Sequence, residues 1–427
     1  MSRSLCRLFD RLFAGGIGAV IAALALFATP AVRAETELVV ASYPSFDTAV
    51  MAAIPLYKKI RPDIRIKLVS LSYEDHHNAL VSALATGVGL PDVLGIEVDY
   101  LGKFVGSAGL EDLAKPPYSA LALKPQLVPY TFGQASTPAG VLSGMPADVG
   151  PGSMFYRKDI LDRAGVTEAQ LTASWESYIE AGKIIKARTG MLLVPNALTV
   201  MDAYVRANGQ PGQGLFFDTQ GRVIIDTPRF QRAFELAKAV RDNGLDGNFD
   251  RWTNDWFESL RRAVATEISG AWLGGHLAGY IAPDAVGKWR AAALPGGAVA
   301  SWGGSFYAIP SHNTPQRKQL AWEFIRFMST DRAMQMAAFK AGDAFPVLLD
   351  AANDVFLDEP LPYFGGQQAR LLWRDFAKRV PVQQVNRLDA SVLLIMRAEL
   401  DNVLSRGKDI RRALADAQRH VERRMRP

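Results

Sequence analysis

The residues of this 427-residue chain with the most chemical potential are aromatics and carboxylates that directly follow apolar, strand-like segments. Tyr43 and Asp47 follow ELVVAS, and Glu97 and Asp99 close or follow PDVLGIE. Trp272 and Trp302 stand beside glycines in ISGAWLGG and SWGGSFYAIP. A flat aromatic ring packs on the C–H face of a sugar ring, and carboxylates accept hydrogen bonds from its hydroxyls. The set therefore suits a neutral polyhydroxyl ligand or a cation better than an anion. For each tryptophan the competing reading is burial in a core. The neighbouring glycines, which permit close approach, favour ligand contact.

Catalytic signatures are missing from the sequence. GPGSM and WGGSF lack the glycine pattern of a nucleophile elbow. No HExxH, GxxxxGK[ST] or GxGxxG occurs. The five histidines are His76, His77, His276, His312 and His420. Only the first two are neighbours, and adjacent helical residues point about 100° apart, so they make a poor chelating pair. The expectation is structural or surface histidines, no metal and no cofactor. Two carboxylates at suitable separation would still build a glycosidase, which leaves a secreted glycoside hydrolase as the enzyme alternative.

The elements that must position these residues read as α/β. ELVVAS is a strand, and SFDT opens a helix in which Asp47 or Thr48 is the candidate cap. Ile64, Ile66 and Leu68 alternate with Arg65 and Lys67 as a half-buried strand does. YEDHHNALVSALATG is a second helix leading to the strand PDVLGIE. Strands separated by helices predict parallel pairing through crossover helices. Further on, MFYRKDILDRAG and SWESYIEAGKIIKARTG read as helices, RVIID as a short strand, and Asp389 to Met425 as two amphipathic helices. No repeat of 20 to 50 residues is present. In an open α/β sheet ligands bind beyond the carboxyl ends of the strands, where Tyr43, Asp47, Glu97 and Asp99 fall.

The N-terminus sets the expected compartment. Arg3, Arg7 and Arg11 precede an uncharged run from Ala14 to Phe27, then Pro30 and Ala34, the pattern of a secretory leader cleaved after Ala34. Cys6 is the only cysteine, so the mature chain has no disulfide, thiol nucleophile or cysteine-bound metal. Of 48 basic and 43 acidic residues, Arg3, Arg7, Arg11, Arg33 and Asp10 fall in the leader, leaving 44 against 42. That near balance argues against nucleic acid as a partner.

Across the mature chain an ordered set of segments resembles the extracellular solute-binding proteins of ABC importers of sugars, the class that includes maltodextrin-binding proteins. The set runs from YPSFDTAVMAAIPLYKKIRPDIRIKLV through ALATGVGLPDVLGIEVDYLGKFVGSAGLEDL, MFYRKDILDRAGV and SWESYIEAGKII, then ATEISGAWLGG, SWGGSFYAIP and LAWEFIRFM, to NVLSRGKDIRRALADAQRHV. The resemblance implies a two-lobed periplasmic binding protein fold of type II, with parallel-rich sheets flanked by helices and discontinuous lobes joined at a hinge. It implies lobe 1 over 35–146 plus about 300–344, and lobe 2 over 147–299 plus about 345–427. The chain would cross near Met145 to Gly150, Leu294 to Gly303 and Gly342 to Pro346. The implied protein is a periplasmic monomer that captures a carbohydrate by hinge closure and delivers it to membrane permease subunits, without catalysis. A polyamine, phosphorylated polyol or peptide is the alternative ligand.

Carried over residue by residue, the resemblance places Tyr43, Ser45 and Asp47 in the first strand's loop, and Glu97 and Asp99 where sugar hydroxyls are accepted. Trp272 matches a stacking aromatic, and Trp302, Gly303, Gly304 and Ser305 match the return crossover. Asp148, at the first crossover, either faces the cleft or fixes the hinge. Asn196, Thr199 and Asp202 fall in another loop used by the family, while Trp373, Arg387 and Asp389 lie in a stretch that does not align.

Overall fold

The computed structural model describes residues 35–425; the leader expected over 1–34 lies outside the described residues. Among the described residues eight strands form two sheets: β1 (Thr36–Ser42), β2 (Ile64–Ser70), β3 (Val93–Glu97), β4 (Met145–Pro146), β5 (Gly152–Arg157), β6 (Thr266–Gly270), β7 (Trp289–Ala292) and β8 (Ser305–Ala308). The first sheet has the order β2-β1-β3-β8-β4 and the second β6-β5-β7. Each sheet is the centre of one lobe.

The alternation in the first strands translates directly into pairing. β1 runs parallel to β2 from Thr36↔Ile64 to Ser42↔Ser70, and parallel to β3. The helices Phe46–Ile60 and Tyr73–Thr86 are the crossovers. The second starts at Ser72, whose hydroxyl accepts from the Asp75 amide, and stops at left-handed Gly87. Neither Asp47 nor Thr48 caps the first helix: Ser45 holds that position at φ 75°, without a side-chain cap.

Three expectations are corrected here. The sheets are not parallel-rich, because β8 is antiparallel to β3 and β4, and both pairings of β5 are antiparallel. β8 enters its sheet from the other lobe rather than over a crossover helix, so no helix forces it parallel. Residues MFYR belong to β5, and the helix covers only Lys158–Ala164. RVIID is not a strand; it contributes a single bridge, Val223↔Phe217.

The reason for the MFYR error is burial on both faces. Met154 and Tyr156 join a core with Tyr178, Phe230, Phe234, Met396 and Leu414. Phe155 points the other way, against Phe364 and Trp373 at centroid distances of 6.1 and 6.0 Å. A strand covered on both sides reads as a continuous apolar run, which does not distinguish it from a buried helix.

Between β4 and β5, and again between β7 and β8, the chain passes from one sheet to the other. These passages lie side by side. Pro151 bridges Ser301, and Asp148 bridges Pro346 from the later segment. Val347 O accepts from the Val128 amide, and the Leu349 amide donates to Gln126 O, so this segment still packs on the five-stranded lobe. The last two helices, Asp389–Arg406 and Ile410–Met425, pack in the core of the three-stranded lobe.

Candidate functional site

The floor of the cleft is a hydrogen-bonded relay where the first and second passages meet β1. The Tyr43 hydroxyl donates to Ser305 Oγ at 2.9 Å. Ser305 donates to Asp148 twice, from its amide at 2.7 Å and from Oγ at 3.2 Å. Burial raises the Asp148 pKa to about 6, although the Ser305 bonds oppose that shift. Both carboxylate oxygens of Asp148 thus accept from Ser305, which ties the first passage to the start of β8.

One wall comes from the five-stranded lobe. Glu97 closes β3 and caps the short helix after it: its carboxylate accepts from the Asp99 amide at 2.7 Å and from the Tyr73 hydroxyl at 3.0 Å. Burial, followed by the charge of Asp99, holds the Glu97 pKa well above the carboxylate range. His77 supports this wall. Its Nδ1 bonds Tyr73 O at 2.7 Å, and the Glu97 amide donates to its Nε2 at 3.1 Å. Those partners require a neutral ring protonated on Nδ1, in agreement with a pKa lowered to about 4 by burial. Tyr100 stacks on His77 at 4.0 Å.

The facing wall comes from the three-stranded lobe. Trp272, just past β6, donates from Nε1 to Trp302 O at 3.0 Å. Its ring stacks on Trp252 at 5.5 Å and 18°, and Trp252 is 51% exposed. Arg206 pairs with Asp202 at 2.9 Å and reaches Asp99 of the other lobe at 3.6 Å. Gly303 marks where the walls approach. A Cβ there would lie 3.0 Å from Trp272 Nε1 and 3.8 Å from Glu97 Oε1, and its φ of 88° is left-handed. Trp272, backed by Trp252, and Glu97, bonded to Tyr73, thus approach each other from the two lobes across Gly303.

The model of the family described as bacterial extracellular solute-binding protein matches residues 52–361. The chain belongs to this family. Among curated relatives of this solute-binding protein, the lactose-binding protein of Rhizobium radiobacter is 28% identical, over 94% of this chain and 98% of that one. An arabinooligosaccharide-binding protein of Halalkalibacterium halodurans is 27% identical over 62% of this chain and 61% of its own length. Among solved structures, the ABC transporter associated binding protein from B. animalis subsp. lactis, in complex with beta-1,6-galactobiose, superposes with a TM-score of 0.73 at 23% identity, covering 90% of this chain and 96% of that one. The sugar-binding protein MalE from Xanthomonas citri gives 0.74 at 20% identity, with 91% and 97% covered. These likenesses establish the two-lobed periplasmic-binding fold.

In this solute-binding protein Tyr43, Glu97, Asp148, Trp272, Gly303, Gly304 and Ser305 lie close together where the two lobes meet, with the Gly304 carbonyl accepting from the Val98 amide at 3.0 Å. Asp99 sits at its edge beside Arg206. Asp47 is turned to Ser70 Oγ at 2.8 Å. Trp302 offers no open face: it is buried, with the guanidinium groups of Arg206 and Arg251 over its ring at 5.3 and 5.0 Å. Asn196 caps the helix Ala197–Ala207, and Trp373 is buried with Nε1 donating to Ser153 Oγ. Asp389 lies within electrostatic reach of Asp99 and Arg206, and burial lifts its pKa to about 7. Sequence reasoning missed Tyr73, Tyr100, Arg206 and Trp252. Only Trp252 left a signal, as a tryptophan in the polar stretch NFDRWTND, where no apolar periodicity buries it.

Among the described residues no group of three or more His, Cys, Asp or Glu is arranged to hold a metal, and no helix is long and apolar enough to cross a membrane.

Proposed function

We propose that this chain is the periplasmic binding component of an ABC importer and captures a neutral mono- or oligosaccharide between its lobes. The observation that carries this reading is the Trp252–Trp272 pair opposite Glu97, Tyr73 and Tyr43 across Gly303. A pyranose ring placed there stacks on the tryptophans while its hydroxyls meet the oxygens of the other wall. The names of the relatives, which bind lactose and arabino-oligosaccharides, support the same ligand class. The leader is cleaved after Ala34, and the mature monomer hands its ligand to membrane permease subunits. The lobes divide near 146–152 and 292–305, with Phe345–Leu349 assigned to the five-stranded lobe.

The arrangement favours binding over hydrolysis. A glycosidase needs one free carboxyl acid and one free carboxylate flanking the scissile bond. Here Asp148 is committed to Ser305 and Glu97 to Tyr73 and the Asp99 amide. Isothermal titration of the exported protein against lactose, galactobiose, maltose, arabino-oligosaccharides, spermidine and glucose phosphate tests the reading, with chromatography for products. Binding of a neutral sugar, weakened in Trp272→Ala and without hydrolysis, supports it. Binding of spermidine or a sugar phosphate alone overturns the ligand class, and released monosaccharide overturns the role.

A further inference from the structure

One contact between the lobes is not used by the sugar-binding reading. His276, on the three-stranded lobe, places Nε2 3.4 Å from Ser45 Oγ of the five-stranded lobe. Its Nδ1 lies 2.9 Å from the Tyr280 hydroxyl, and its ring packs on Trp272 and Trp252 at 5.4 and 5.8 Å. One residue therefore touches the opposite lobe and both members of the tryptophan pair.

Backbone strain converges on the same place. Among the described residues five non-glycine residues have positive φ, and three of them surround this contact: Ser45 at 75°, Trp252 at 69° and Asp343 at 52°. A Cβ on Gly275, next to His276, would collide with the Asp343 carboxylate, so the lobes touch here a second time. Immediately after His276 the chain makes a π-turn, Leu277–Ile281, which carries Tyr280 back to the imidazole. Left-handed non-glycine residues and π-turns are both costly, and they persist where function demands a fixed geometry.

We infer that His276 is a positioning residue: by bonding Ser45 across the cleft it latches the lobes closed and holds Trp252 and Trp272 in their stacked orientation. Two hydroxyl partners fit a neutral imidazole, which has one donor and one acceptor. Burial, which lowers its pKa to about 4, keeps the ring neutral at neutral pH. Closure then does two things together, since the hydrogen bond that joins the lobes also fixes the ring against which the tryptophans lie. The latch acts with or without ligand, so it goes beyond the sugar-binding reading and its test does not depend on it.

The absence of cysteine after Cys6 makes the test direct. Spin labels at Met51→Cys and Val286→Cys, exposed sites on the two lobes, report the inter-lobe distance in the exported protein, from which Cys6 has been removed with the leader. Ser45→Gly removes the hydroxyl and tolerates φ 75°, so it keeps the fold. The expected result is a closed population reduced at least threefold by Ser45→Gly or His276→Leu, with no further loss in the double variant. His276→Gln, which restores a donor at the Nε2 position, recovers it. The intrinsic tryptophan emission shifts in parallel. An unchanged closed population, a wholly open parent protein, or losses that multiply in the double variant overturns the latch. If no sugar binds while the distances respond as expected, the ligand reading fails and the latch stands.

Discussion

Replacing Asp148 with asparagine separates the hydrogen-bonding value of the crossover carboxylate from the cost of burying its charge. Its pKa rises from 3.8 to about 6 on folding, with burial as the main cause. That is about two pKa units, or roughly 3 kcal/mol at 1.36 kcal/mol per unit. The sign follows from proton binding: the native state holds the proton more tightly than the unfolded chain, so the stability tied to it is complete below about pH 4. It is lost as pH rises through about 6. The amide of D148N keeps an acceptor for the Ser305 N–H but reverses the bond to Oγ, at a cost of about 1 kcal/mol. At pH 7.5 the variant should therefore be more stable by about 2 kcal/mol. At pH 4.5, where the native carboxyl is already neutral, the two proteins should agree to within about 1 kcal/mol. Urea denaturation of the ligand-free protein, followed by tryptophan fluorescence at both pH values, measures this. A variant less stable than the parent at pH 7.5 refutes the reasoning, because the Ser305 hydrogen bonds to the charged form would then outweigh its desolvation.

Three further outcomes follow from the same geometry. Trp272→Ala removes the stacking face and should raise the Kd for the bound sugar roughly tenfold or more, read by calorimetry. Gly303→Ala puts a methyl into a left-handed position 3.0 Å from Trp272 Nε1. It should cost about 1–2 kcal/mol in folding and weaken ligand binding as well, whereas Gly303→Ser should not restore either. Arg206→Ala strands the buried Asp202 carboxylate and uncovers Trp302. A loss of about 3–5 kcal/mol in thermal or urea melts is expected, with partial recovery when Asp202→Asn is added.

Much of the first lobe was legible because its strands obey simple patterns. Ile64, Ile66 and Leu68 alternate with charged residues since β2 is the edge of its sheet, buried on one face only. β5 hid from the same reasoning because Phe155 and its neighbours Met154 and Tyr156 are covered on opposite sides. The pairing of β3 with β8 was beyond reach for a different reason. Glu97 and Ser305 meet only after the chain has built most of another lobe between them, and no local signal encodes that return.

The site divides along the same line. Tyr43, Glu97 and Trp272 stand out in the sequence because each ends or closely follows a strand, and in an open α/β sheet ligands bind beyond the strand ends. Trp272 and Trp302 looked equivalent, both flanked by glycine, yet one is half-open and the other buried under two guanidinium groups. What separates them is Arg206 and Arg251, two residues on distant segments that a linear pattern does not connect to Trp302. Tyr73 was read as the first residue of a helix, which it is, but its hydroxyl serves Glu97.

The charges of the cleft argue for the character of the ligand more strongly than the aromatics do. Asp202 and Asp99 share Arg206, Glu267 is held by Arg251 and Trp256, and burial drives Glu97 and Asp389 toward their neutral forms. A cationic ligand would have to compete with Arg206 for Asp99, beside a guanidinium that Asp202 holds in place at 2.9 Å. An anion would meet the Asp99 carboxylate, while Arg206 and Arg251 are already paired with Asp202 and Glu267. A polyhydroxyl ring disturbs none of these pairs. Under the proposed reading it would add hydrogen bonds to oxygens already oriented by Tyr73, His77 and Ser305, and its apolar face would lie against the stacked Trp252–Trp272 pair. Because closure assembles both the charge pairs and the stacked rings, the free energy of the ligand's contacts with both walls is what shifts the population from open to closed.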